Sequence, residues 1–98
     1  MSHEEVPPRV RIRAWTRGTD DDRRQGLLGY IALEFGQLAL DGVTVHKTAE
    51  GRLTLSFPSR TDRAGRRHPF IRPLHDEARR EFEAAVLCAL GEREDFEP

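Results

Sequence analysis

The residues best equipped for chemistry are arginines. Between Arg60 and Arg72 the chain carries Arg60, Arg63, Arg66, Arg67 and Arg72 against a single acid, Asp62. Guanidinium groups this close repel one another unless an anion neutralises them. Phosphate oxygens suit that task, because a planar guanidinium offers paired donors to two oxygens at once. Each neutralised phosphate adds a salt-sensitive increment of affinity. A solvated loop, its arginines paired with Glu92, Glu94, Asp95 and Glu97 near the C-terminus, has the same composition. Further on, Arg79 and Arg80 lie off the apolar stripe of a helical pattern. There Arg79 with Glu83, and Arg80 with Asp76 and Glu77, form ordinary intrahelical pairs on the structural reading. Near the start, Arg9, Arg11 and Arg13 share a strand face with Trp15. Arginines interleaved with an aromatic make a stacking platform for bases, and an edge strand guarded by charge has the same look. Trp15 and Phe70 fit core or dimer-contact positions better than stacking ones.

The search for catalytic groups ends quickly. His3, His46, His68 and His75 are scattered, and no cysteine or carboxylate spacing completes a zinc set. Ser56 and Ser59 lack the sharp glycine-flanked turn of a hydrolase nucleophile, and there is no glycine-rich phosphate loop. Cys88, beside the apolar helical face, reads as a packed small hydrophobe. The expectation is a binding protein with no cofactor and no metal, and not an enzyme.

These groups need elements to hold them. Val10, Ile12 and Ala14 alternate with Arg9, Arg11 and Arg13, the period of a half-buried strand over Arg9 to Trp15. Thr16 to Gln25 reads as a loop. Leu27 to Phe35 is a second strand, with Leu27, Ile31, Leu33 and Phe35 on one face and Leu28, Tyr30, Ala32 and Glu34 on the other. Leu38 to Lys47 is a third, with a bulge or kink at Asp41-Gly42. Arg52 to Phe57 is a fourth, closed by Pro58. Ser59 to Arg67 reads as a polar loop and His68 to Arg72 as a short edge segment. The one strong helix signal covers His75 to Leu90. Leu74, Ala78, Phe82, Ala85, Val86, Ala89 and Leu90 repeat at its spacing, His75 or Asp76 caps its start, and Gly91 closes it. The fold class is therefore α+β: a small antiparallel sheet of four to five strands, then one C-terminal helix.

The 98 residues give one domain at 9–91, with a loose extension at 1–8 and an acidic tail at 92–98. A chain this short has a small core, and with Cys88 as its only cysteine it has no disulfide framework. Pairing with a second copy is the expected remedy. The lone thiol, the polar N-terminus and the absence of a long apolar run predict a cytoplasmic protein with no membrane contact. The formal net charge of -1 excludes a uniformly basic coat. Fifteen of the sixteen basic residues are nonetheless arginine, eleven of them gathered at Arg9 to Arg24 and Arg60 to Arg72.

Several stretches resemble, in order, the SpoVG family of bacterial septation proteins. Gly29-Tyr30-Ile31-Ala32-Leu33-Glu34 is similar to the family's strand that ends in an acid. Leu40-Asp41-Gly42-Val43-Thr44-Val45 is similar to its strand with a central polar break. The most specific piece is Gly51-Arg52-Leu53-Thr54-Leu55-Ser56-Phe57-Pro58-Ser59-Arg60, where the family has a glycine-led strand, Pro-Ser and then basic residues. Gly65, Pro73 and Ala85-Val86-Leu87 also correspond. The chain departs from the pattern in its N-terminal extension, its long charged first loop, and Thr61-Asp62-Arg63 where a lysine-arginine pair is usual. The resemblance implies a homodimer with a curved antiparallel sheet, and a regulator that binds DNA and in some members RNA, linked to septation and sporulation. It brings Arg79 and Arg80 into the contact set beside Arg60, Arg63, Arg66, Arg67 and Arg72. The alternative is a non-enzymatic interaction module whose arginine loop or sheet edge binds an acidic protein partner.

Overall fold

The computed structural model describes residues 9–98, so the N-terminal extension expected at 1–8 lies outside the described residues. The alternating pattern at the start forms β1 (Val10–Arg17), followed by β2 (Leu27–Phe35), β3 (Leu38–Lys47) and β4 (Leu53–Ser56). These four make one antiparallel sheet in the order β1-β2-β3-β4. A separate two-stranded sheet follows, β5 (Ser59–Thr61) with β6 (Arg67–Pro69), and then a C-terminal helix (Asp76–Gly91). The α+β architecture of a small antiparallel sheet followed by a helix is the one the residue pattern predicts.

Three bulges decide which side chains face the core. At Asp41-Gly42 the register moves from Ile31↔Val43 to Leu33↔Leu40, inserting one extra residue into β3 at the expected place. Gly42 has a φ of 79°, a backbone that side-chain-bearing residues resist. A second bulge lies on β2 between Leu27 and Gly29. It buries Leu28, which simple alternation assigns to the outer face with Tyr30. The third inserts Arg13 into β1 between Ile12 and Ala14. It inverts the alternation, so Trp15 leaves the arginine face and turns inward while Ala14 is exposed. Trp15 is thus no part of a stacking platform with Arg9, Arg11 and Arg13. Its ring lies over Gly29, where an added Cβ would collide with the Thr16 carbonyl and the indole.

The loop expected at Thr16 to Gln25 contains a short helix, α1 (Asp20–Arg24). Five residues show no apolar period, but Thr19 and Asp22 form a capping box with two hydrogen bonds of 3.0 Å. The C-terminal helix, α2, begins where His75 Nδ1 accepts from the Ala78 amide at 3.1 Å. Leu74 therefore precedes the helix instead of joining its stripe, and it is 91% exposed. Phe82, Val86 and Leu90, four apart, are the buried residues of α2. They pack with Leu28, Ile31, Leu33, Leu40, Val43, Val45 and Leu55 into one core. Cys88, two positions from Val86 and so on the opposite side of the helix, is exposed, not packed.

The segment after α2, expected to be a loosely held acidic tail, is fixed at two points. Phe96 meets Trp15 edge to face with centroids 5.1 Å apart, and the Glu97 carbonyl accepts from Arg23 at 2.9 Å. Arg93 and Asp95 pair at 2.9 Å, and that contact holds the Asp95 carboxyl below its ordinary value. No described helix is long and apolar enough to cross a membrane.

Candidate nucleic-acid interface

The arginine-rich stretch is a hairpin rather than a loop. Asp62 and Gly65 occupy the first and last places of a turn, closed by a Gly65 amide to Asp62 carbonyl bond of 3.0 Å. The Asp62 carboxylate then holds the turn from inside. Its Oδ1 accepts from the Ala64 and Arg66 amides, both at 2.9 Å, and its Oδ2 lies 2.7 Å from His68 Nε2. Arg66 adds a looser ion pair at 3.6 Å. The His68 contact first, and the backbone donors after it, hold the Asp62 carboxyl below the usual carboxylate range. The one acid of the cluster is thus spent on building the hairpin that carries the arginines.

The hairpin register divides those arginines. Ser59 pairs with Pro69, Arg60 with His68 and Thr61 with Arg67. With a side-chain period of two, Arg67 shares a face with Ser59 while Arg60 shares the other with His68. Arg67 donates to Ser59 Oγ through Nε at 3.2 Å and Nη2 at 3.0 Å, which fixes its guanidinium. Arg63 sits in the turn. None of the hairpin arginines pairs with the C-terminal acids among the described residues.

The helix contributes one arginine to this region. Arg79 pairs with Glu83 at 3.6 Å, as expected, but the pair does more than decorate the helix. Arg79 Nη2 donates to the Leu55 carbonyl at 3.0 Å, and Glu83 Oε2 accepts from the Leu55 amide at 3.0 Å. The two side chains clamp the outer edge of β4, an edge strand with no neighbouring strand on that side among the described residues. Arg80 forms no ion pair with Asp76 or Glu77 among the described residues; it is exposed on α2, outside the pocket described next.

A cavity of about 300 Å³ opens where β4, the hairpin and the start of α2 meet. Its walls are Ser56, Phe57, Ser59, Arg67, Pro69, Arg72 and Arg79, with no carboxylate among them. Of the seven candidate residues, Arg67, Arg72 and Arg79 converge here, whereas Arg60, Arg63, Arg66 and Arg80 do not line it. Ser56 and Ser59 are additions that the linear sequence conceals. Their only signal is that Ser59 becomes a same-face neighbour of Arg67 once Asp62 to Gly65 is recognised as a turn.

Arg72 also lines a second, apolar groove of about 520 Å³, walled mainly by Phe35, Leu38, Leu40, Phe57, Ile71, Pro73, Leu74 and Phe82. Phe82 lies at its base, with Phe35 and Phe57 ring centroids at 5.3 and 5.6 Å. Phe70, read as core or dimer contact, is 69% exposed and belongs to no core cluster.

No family model matches the chain, and no curated protein or solved structure matches it.

Proposed function

We propose that this chain is a nucleic-acid-binding regulatory protein of the SpoVG type, cytoplasmic and homodimeric, that grips DNA or RNA through phosphate contacts. The observation that carries the reading is the convergence of Arg67, Arg72 and Arg79 on one pocket whose walls, among the described residues, hold no acid. Arg60 and Arg63, with no ion pair among the described residues, extend the positive surface along the hairpin. Clustered arginines of this kind are stabilised by an anionic ligand, and a phosphate chain supplies several such groups in sequence. The resemblance in the stretches from Gly29 to Leu90 supplies the regulatory role and its link with septation and sporulation.

Two features favour a second copy of the chain as partner. Large apolar side chains, Leu38 and Leu74 among them, rim the 520 Å³ groove. Beside it, β4 pairs with β3 only at Thr44 to Lys47, so among the described residues Leu38 to Val43 have no strand on that side. An unpaired edge next to an apolar groove can pair with its own copy about a two-fold axis, each copy offering both an edge and a leucine to the other.

Fluorescence anisotropy against mixed duplex DNA and single-stranded RNA, at low and then physiological salt, tests the reading. The parent chain binds with an affinity that falls steeply as salt rises. The variant Arg60→Gln/Arg63→Gln/Arg72→Gln binds every sequence more weakly, its salt slope on a duplex reduced by about 0.9 for each phosphate it leaves unneutralised. Absence of binding at low salt overturns the nucleic-acid reading and leaves an acidic protein as the occupant of the arginine surface.

A further inference from the structure

The arginine pocket differs from a basic surface patch in ways that narrow its ligand. Two of its three arginines are fixed by contacts already made, Arg67 by Ser59 Oγ and Arg79 by the Leu55 carbonyl. Guanidiniums held in place before a ligand arrives lose less freedom on binding than free ones do. Arg72, the third, makes no hydrogen bond or ion pair among the described residues. Among the described residues the one acid in ion-pair contact with these three arginines is Glu83, 3.6 Å from Arg79 and already bonded to the Leu55 amide. Setting Glu83 against one arginine leaves two positive charges in the cavity. Its 300 Å³ lies at the small end of the range for ligand pockets, about 300–1,000 Å³, so it suits a single phosphorylated unit. A phosphate monoester carries about -1.5 to -2 charges at pH 7 and three acceptor oxygens, which matches both the charge and the donors. A phosphodiester inside a chain carries only one negative charge and must leave the pocket in two directions.

We propose that the cavity between β4, the β5–β6 hairpin and the start of α2 is a seat for one terminal phosphate group, held by Arg67, Arg72 and Arg79 with the Ser59 hydroxyl beside them. Phosphorylated ends of nucleic-acid strands are then preferred over hydroxyl ends. The preference rests on the nucleic-acid reading for the identity of the ligand, but the seat itself does not.

The test has two arms, both with the full chain. In the first, inorganic phosphate is titrated at constant ionic strength and backbone amide shifts are followed by NMR. Saturable shifts centred on Ser56, Ser59, Arg67, Arg72 and Arg79 are expected. Arg72→Gln, which removes a side chain with no structural partner among the described residues, weakens the apparent affinity about tenfold, as removal of a charge-assisted hydrogen bond does. Arg52→Gln, an exposed position outside the pocket and outside the proposed nucleic-acid contacts, leaves it unchanged. In the second arm, one oligonucleotide is compared with and without a 5′-phosphate, and then with and without a 3′-phosphate. Tighter binding of one phosphorylated form, abolished by Arg72→Gln, is expected. Shifts that never saturate, or equal effects of Arg72→Gln and Arg52→Gln, overturn the seat. Salt-sensitive binding that ignores end phosphates also overturns it, while leaving the nucleic-acid reading intact. Saturable phosphate binding without any oligonucleotide binding supports the seat and removes the nucleic acid as its ligand.

Discussion

Asp62 shows how one side chain converts a repulsive stretch into a usable structure. Its carboxylate accepts from the Ala64 and Arg66 amides and meets His68, so both sides of the turn depend on one ionised group. Because its folded pKa is lowered from 3.8, its contribution is present above that value and is lost as pH falls through the lower folded pKa. At neutral pH the hairpin is therefore fully supported. Asp62→Ala is expected to raise amide exchange at Ala64 and Arg66 at neutral pH while barely moving the overall melting temperature, since the hairpin lies outside the main core. In the parent chain the Asp62 carboxyl itself should titrate with a midpoint below 3.8. Unchanged exchange in the variant, or an Asp62 carboxyl midpoint above 3.8, would contradict this role for the carboxylate.

At the scale of elements, β4 is the vulnerable member of the sheet. It is four residues long and lies at an edge, yet it carries the fully buried Leu55. The clamp from α2 answers that weakness: Glu83 takes the Leu55 amide and Arg79 the carbonyl, so helix and strand edge hold each other. Glu83→Ala removes the acceptor and leaves the Leu55 amide without its partner. The expected loss is about 1–3 kcal/mol of unfolding free energy, the usual cost of an unpaired part-buried polar group, read from urea denaturation. A double-mutant cycle with Arg79→Ala should show coupling between the two sites, because they grip the same residue. Additive losses would mean that the clamp does not act as a unit.

For the whole molecule, the surface most in need of a cover is the apolar groove with the adjoining open edge of β3. Among the described residues the core holds ten buried apolar side chains, whereas Leu38, Phe70 and Leu74 are left largely in water. Covering such surface is the main driving force for association. In sedimentation equilibrium the parent chain is expected at twice 11.2 kDa. Leu74→Glu should shift it to monomer with little loss of secondary structure, since Leu74 is 91% exposed in the single copy. A monomeric parent chain at high concentration would rule the second copy out as the occupant.

What the sequence alone determined follows from local rules. Period-two alternation gives β1 and β4, the Asp41-Gly42 break gives the β3 bulge, and the Phe82-Val86-Leu90 spacing with a capping His75 gives α2. Asp62 is legible as an acid among arginines, but not as the residue that folds their hairpin, because that role needs amides brought together by the turn. Two bulges, at Arg13 and near Leu28, are invisible for a related reason. Each is a mismatch between two strands, and no single strand records it. Trp15 therefore faces inward against the alternation of its own strand. The pocket is decided wholly by tertiary structure. Ser59, Arg67, Arg72 and Arg79 come from a strand, its partner, a connector and a helix, and only the packing of α2 against β4 brings them around one cavity.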